Sequence, residues 1–275
     1  MILAMEWIKT IVLGVIQGIT EWLPVSSTGH LLLFDALFPL QVSSACKNLF
    51  MVLIQLGSIL AVVVLYFHKL NPFSPKKSGE ERRATWNLWG KILVASVPVA
   101  IVGFFLDDFI DAHLHTWGVI SGALFVYGLL YVVLEKKRKQ TVSVGTLDSI
   151  TYREAFLIGC FQVLALVPGT SRSGSTILGA IILNFDRTVA SQFSFFMAIP
   201  AMVGASLLKL VKLGYGLTTA EWLMISLGFA VAFLVSLWTI KALVSYVRNH
   251  DFSVFGWYRM ALAVVVAITF SLLGR

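Results

Sequence analysis

The chain of 275 residues is 58% hydrophobic and 13% charged, with a mean hydropathy of +0.86, whereas a soluble domain is about a quarter charged. These values exclude an ordinary soluble domain and indicate an integral membrane protein. A net charge of +7 would suit nucleic acid, but the basic residues sit in short segments between apolar runs. There they read as orientation signals, and no nucleic-acid partner is expected.

In chain order, residues 1–23 are apolar but lack a basic start and a small-residue cleavage site, and they carry Glu21, so they read as mature chain. A first helix is expected from about Met5 to Leu23, with Gly14 and Gly18 one turn apart and open to close approach by another helix. Pro24 ends it and frees backbone N–H groups where Ser26 and Ser27 follow. The next helix, about Ser26 to Phe38, is too short to cross a bilayer. The two therefore pair as a re-entrant hairpin, whose irregular turn must lie within protein or line a wet cavity.

Apolar runs near 47–67, 86–106, 117–134, 189–212, 220–243 and 255–273 each approach the ~20 residues a crossing helix needs. The alternation of a membrane β-barrel is absent. The expected fold is an all-α integral membrane protein with about six transmembrane helices and two re-entrant hairpins, forming one domain over 1–275. Lys69, Lys76, Lys77, Arg82, Arg83 and Lys91 form one basic loop, and Lys136, Lys137, Arg138, Lys139 and Arg153 another; both should be cytoplasmic. The acidic loop Asp107–His115 between them should lie outside. Lys209 and Lys212 run against this rule, while Lys241 and Arg248 agree with it. The two cysteines, Cys46 and Cys160, are too isolated for a disulfide framework and read as buried apolar residues.

An internal repeat aligns Leu13-Gly-Val-Ile-Gln17 with Ile158-Gly-Cys-Phe-Gln162, each followed by a proline and a Ser/Thr run. The halves would span about 1–140 and 150–275. Three crossings per half would invert one half relative to the other, as in transporters whose broken helices meet at the midplane. Two polar stretches, Gln17–His30 and Pro168–Thr176, would then face each other. Intramembrane groups of this kind are expensive and usually functional.

The residues of both stretches carry a resemblance. Gln17 and Glu21 match a motif of Glu or Gln, three residues and Glu, which continues as Pro24-Val-Ser-Ser-Thr-Gly-His30. Pro168, Gly169, Ser171, Arg172, Ser173 and Thr176 match Pro-Gly-x-Ser-Arg-Ser-x-x-Thr. The chain thus resembles the undecaprenyl-diphosphate phosphatase family, also called bacitracin-resistance proteins, over nearly its whole length. The resemblance implies removal of the terminal phosphate from a C55 polyprenyl diphosphate, assisted by a divalent cation. That reaction recycles the lipid carrier of cell-wall synthesis and confers bacitracin resistance. It also implies the bacterial cytoplasmic (inner) membrane as location. The site is expected to open toward the periplasm. The expected partners are the lipid and the membrane, with a homodimer left as an open alternative to a monomer.

The chemistry suits such a substrate. Arg172 offers a planar fork for phosphate oxygens and, at a membrane-centre cost of about 2.5–3.5 kcal/mol, should be paired, with Glu21 as the natural partner. Such a pair could also be purely structural. Ser27 is the expected nucleophile and His30, one helical turn on, its base; direct attack by His30 is the alternative. Glu21 and Gln17 are expected to hold Mg²⁺ or Ca²⁺, although Gln17 stands where the family often has glutamate and removes one charge. Ser26, Thr28, Ser171, Ser173 and Thr176 are expected phosphate donors, and any of them could serve instead as a helix cap. A flippase with a midplane site is the rival from another class.

Overall fold

The computed structural model describes residues 2–138, 142–213 and 216–274. Lys139 and the side chains of Asp107, Asp108, Asp111 and Lys212 lie outside what is described. Every regular element among the described residues is helical: α1 Ile2–Thr20, α2 Ser27–Leu37, α3 Ser44–Leu65, α4 Phe67–Leu70, α5 Gly79–His113, α6 Trp117–Lys137, α7 Tyr152–Val163, α8 Arg172–Ile182, α9 Arg187–Leu213, α10 Thr219–Val247 and α11 Ser253–Leu272. A 3₁₀ turn, Leu164–Leu166, extends α7. Six of the helices, α3, α5, α6, α9, α10 and α11, are long and apolar enough to cross a membrane, and they coincide with the six apolar runs of the sequence.

Helix α5 differs from expectation at both ends. Arg82, Arg83 and Lys91 fall within its first turns rather than in a loop, because Ser78 and Glu81 form a reciprocal capping box that starts the helix at Gly79. At its far end the helix runs to His113, so the acidic segment is largely helical and the true connection is Leu114–Thr116. Pro98 and Pro200 lie within α5 and α9. Cys46 is buried, but Cys160 is exposed on α7, which corrects its reading as a core residue.

Helix packing follows the small residues. A Cβ on Gly18 would fall 2.8 Å from the Ala232 carbonyl oxygen, and one on Gly14 2.9 Å from that of Gly228, so these glycines let α1 lie directly on α10. Helices α6 and α11 cross in the same way at Gly128 and Gly256, where an added Cβ on either would fall within 2.7 Å of the other's carbonyl oxygen. Helix α5 carries α7, and α3 lies between α9 and α10.

The short helices are tied back to their partners. The Gln41 N–H donates to the Glu6 carboxylate at 2.8 Å and Lys9 Nζ to the Pro39 carbonyl at 2.8 Å, which holds the exit of α2 beside the start of α1. The segment ahead of α7 is joined to the exit of α8 by Ser143 N–H to Asn184 O, 2.9 Å, and Asp186 N–H to Val144 O, 2.8 Å. Between α6 and α9, Arg187 bonds Glu135 through Nε at 3.1 Å and Nη2 at 2.7 Å. Bidentate pairs of this kind are the stronger form of ion pair.

Candidate active site

The two turns that follow α1 and the 3₁₀ turn meet inside the protein. Ser26 and Ser171 each take positive φ, 73° and 72°, a region that costs a side-chain-bearing residue of order 1–3 kcal/mol. Each serine then caps the next helix, its Oγ accepting from Gly29 N–H at 3.3 Å or from Gly174 N–H at 3.1 Å. The turns are joined directly, since Ser173 Oγ donates to the carbonyls of Glu21, 3.0 Å, and Leu23, 3.2 Å.

Glu21, 5% exposed, is the hub of the site. Its Oε2 accepts from Gln17 Nε2 and from Ser27 Oγ, both at 3.0 Å, and its Oε1 lies 3.4 Å from Arg172 Nη2. Arg172 is oriented further by Nη1 donating to the Ser194 carbonyl at 2.7 Å, and its guanidinium sits 5.9 Å from the centroid of the Trp22 ring. A cavity of about 210 Å³ opens here, lined by Glu21, Ser27, Thr28, Gln55, Pro168, Gly169, Ser171 and Arg172. A larger cleft of about 480 Å³ lies among Phe67, Phe73, Trp86 and Trp89. It contains no titratable group, so the smaller polar cavity is the candidate site.

The geometry redistributes several expected roles. His30 does not reach Ser27. Its Nδ1 lies 2.7 Å from the Ser26 carbonyl and its Nε2 2.7 Å from the Tyr258 hydroxyl, with the two rings stacked. A carbonyl only accepts, so Nδ1 carries the proton in the neutral ring and Nε2 accepts from Tyr258. The group in position to take the Ser27 proton is therefore the Glu21 carboxylate. Ser26, Ser173 and Thr176 are expected phosphate donors, but their hydroxyls are buried and none of the three lines the cavity. Ser26 caps α2, Ser173 ties the two turns, and Thr176 donates to Arg172 O at 2.8 Å and meets Ser194 Oγ at 2.7 Å. Thr28 and Ser171 do line the cavity.

Gln17 bears on the cation. Its Nε2 is used on Glu21, whereas its Oε1 is buried and without a partner. A buried, unpartnered amide oxygen beside a carboxylate suits a hard cation that brings its own waters. Among the described residues no cluster of three or more His, Cys, Asp or Glu forms, so a cation here would rest on the Glu21 carboxylate with amide and hydroxyl oxygens rather than on a cluster of carboxylates.

Three groups escaped the sequence reading. Gln55 contributes an amide to the cavity from the middle of α3. Tyr258 holds His30, and Arg259, next to it on α11, is 0% exposed. Arg259 Nη1 donates to the Pro24 carbonyl at 3.1 Å, and Nη2 to those of Gly169 and Thr170, each at 2.9 Å. The signal for Arg259 was a lone charge inside an apolar run.

Residues 10–265, including both turns and every residue of the cavity, match the family described as bacitracin resistance protein BacA. The chain belongs to this family. Three relatives matched over nearly their whole length agree. It is 51% identical over 270 residues to an undecaprenyl-diphosphatase of Enterococcus faecalis strain V583, covering 97% of this chain and 98% of that one. It is 50% identical over 269 residues to an undecaprenyl-diphosphatase of Lactiplantibacillus plantarum, covering 96% and 98%. Undecaprenyl-diphosphatase 1 of Clostridioides difficile is 48% identical over 269 residues, covering 98% of each. Six apolar helices and BacA membership make this a multi-pass membrane protein.

Proposed function

We propose that this protein is a membrane hydrolase that cleaves the terminal phosphate from undecaprenyl diphosphate and thereby recycles the lipid carrier of cell-wall synthesis. The observation that carries the reading is the contact of Glu21 with both the Ser27 hydroxyl and the Arg172 guanidinium. It brings a base and an alcohol from the first polar stretch and a cation from the second into one cavity.

Ser27 Oγ attacks the terminal phosphorus as Glu21 removes its proton, and the lipid monophosphate leaves carrying that proton away from Glu21. Water then attacks the phosphoserine, giving one proton to Glu21, which returns it to Ser27 Oγ as phosphate is released. Arg172 neutralises the oxygens as charge gathers on them. The incoming diphosphate competes with Glu21 for Arg172, and that competition frees the carboxylate to act as base. His30, engaged by Ser26 and Tyr258, orients the turn that presents Ser27. Glu21 and Gln17 would hold the divalent cation, which, when bound, would supply charge neutralisation to the diphosphate.

The halves 1–140 and 150–275 are read as inverted copies, each with one re-entrant hairpin. The ties that hold the exit of α2 beside the start of α1, and the exit of α8 beside the segment ahead of α7, support this reading. With Lys76 and Arg153 cytoplasmic, the first hairpin enters from outside and the site opens to the periplasm of the inner membrane. A membrane-impermeant thiol reagent on intact cells should label Thr116→Cys and spare Lys76→Cys; the opposite pattern reverses the orientation. The activity itself is tested by phosphate release from a long-chain prenyl diphosphate, with and without chelator. No phosphate release at any cation concentration would reject the reading.

A further inference from the structure

Arg259 is the most buried charge near the site and the one whose role the mechanism leaves unassigned. It lies in the middle of α11, is 0% exposed and does not line the cavity. Its hydrogen bonds run to main-chain carbonyls: Pro24 from the first turn, Gly169 and Thr170 from the second, and Leu124 of α6 at 3.5 Å through Nε. The Tyr127 ring covers the guanidinium at 5.5 Å.

Pro24 and Gly169 occupy the same place in their respective turns, each two residues ahead of the serine with positive φ. One guanidinium therefore grips matching peptides of both turns. Its fork is flat and rigid, so the separation of its nitrogens becomes the separation of the two turns. Peptide planarity carries the effect further. Holding the Thr170 carbonyl toward Arg259 turns the Ser171 N–H to the opposite side of that peptide.

We propose that Arg259 is a positioning residue for the hydrolysis, a clamp behind the site that sets the distance between the Ser27 turn and the Arg172 turn without touching substrate. The proposal rests on the phosphatase reading. Lysine keeps the charge but offers a single point of attachment in place of a fork, so it cannot hold both turns. The clamp can also be disturbed without altering the arginine, because a Cβ on Gly174 would fall 2.8 Å from Arg259 Nη1, although it would also crowd Ser171 Cβ at 3.0 Å.

The test measures phosphate release from a long-chain prenyl diphosphate by detergent-purified Arg259→Lys, Arg259→Ala and Gly174→Ala, alongside wild type and Ser27→Ala, with the folded fraction of each determined by thermal unfolding. A misplacement of about 1 Å costs on the order of 100-fold in rate. Arg259→Lys and Gly174→Ala should therefore lose roughly 30- to 100-fold in kcat per folded molecule, while KM changes less than about threefold. Added guanidinium should restore part of the Arg259→Ala activity. Wild-type kcat in folded Arg259→Lys, or a loss confined to KM, overturns the clamp. Failure of both Arg259→Lys and Gly174→Ala to fold also overturns it, in favour of an arginine needed only for assembly. An inactive wild type would instead reject the phosphatase reading, so the two failures are distinguishable.

Discussion

The turn at Pro24–His30 and the turn at Pro168–Thr176 share one kind of serine cap and carry two chemistries. Ser26 and Ser171 adopt the same strained φ and make the same capping bond. The residue after each serine differs: Ser27 in the first turn, the alcohol that meets Glu21, and Arg172 in the second, the cation that meets the same carboxylate from the other side. Gln17 and Gln162 are also matched in sequence, yet Gln17 bonds Glu21, whereas the Gln162 amide is buried with neither end partnered. Two turns built on the same serine cap supply paired scaffolds, and a reaction needing opposed groups can then divide its parts between them.

That division can be broken most sharply at its opposed members. Ser27→Ala and Arg172→Ala should each lose at least about 10³-fold in phosphate release while remaining folded. The double variant should be little worse than either, because the two residues act as a unit. Near-additive losses would show that the turns work separately.

The next largest effect should come from Gln17→Glu. A second carboxylate ought to lower the cation concentration for half-maximal activity by roughly tenfold, since ligand charge sets the affinity of oxygen sites for hard cations. A titration of activity against Mg²⁺ and Ca²⁺ after chelation reads this directly. An unchanged midpoint would remove Gln17 from the cation's surroundings.

His30→Gln should cost less than about tenfold in kcat if Glu21 is the base and His30 only orients the turn. A loss beyond about 100-fold would return His30 to the proton transfer. Smallest of all, Gln162→Leu should leave activity unchanged and raise Tm by about 2–4 °C, because it removes an unpaired buried amide. A drop in activity would mean that the second turn contributes a polar group of its own beyond Arg172.

The sequence made the spanning helices and the polar stretches readable because each is a local property, a run of apolar side chains or a break in one. Glu21 and Arg172 could be paired in advance because two opposite charges in hydrocarbon must find each other. Proton partners were harder to read. The spacing of Ser27 and His30 places them within reach of each other along a helix, but Tyr258, more than two hundred residues away, takes the imidazole instead. Arg82, Arg83 and Lys91 resembled a loop because charge dominated the reading, although the Ser78–Glu81 capping box already marked a helix start. Arg259 passed unnoticed because one charge barely alters the average of an apolar run, and its carbonyl partners become visible only once the turns are folded together.

The two serine caps have a further electrostatic consequence. They bring the amino-terminal ends of α2 and α8 toward the same carboxylate, so two helix dipoles point their positive poles into one small space. Glu21 offsets only part of that field, and the empty enzyme should therefore be less stable than its anion-bound form. Pyrophosphate or a short prenyl diphosphate should raise the melting temperature of the purified protein even when Ser27 has been replaced by alanine and no turnover can occur.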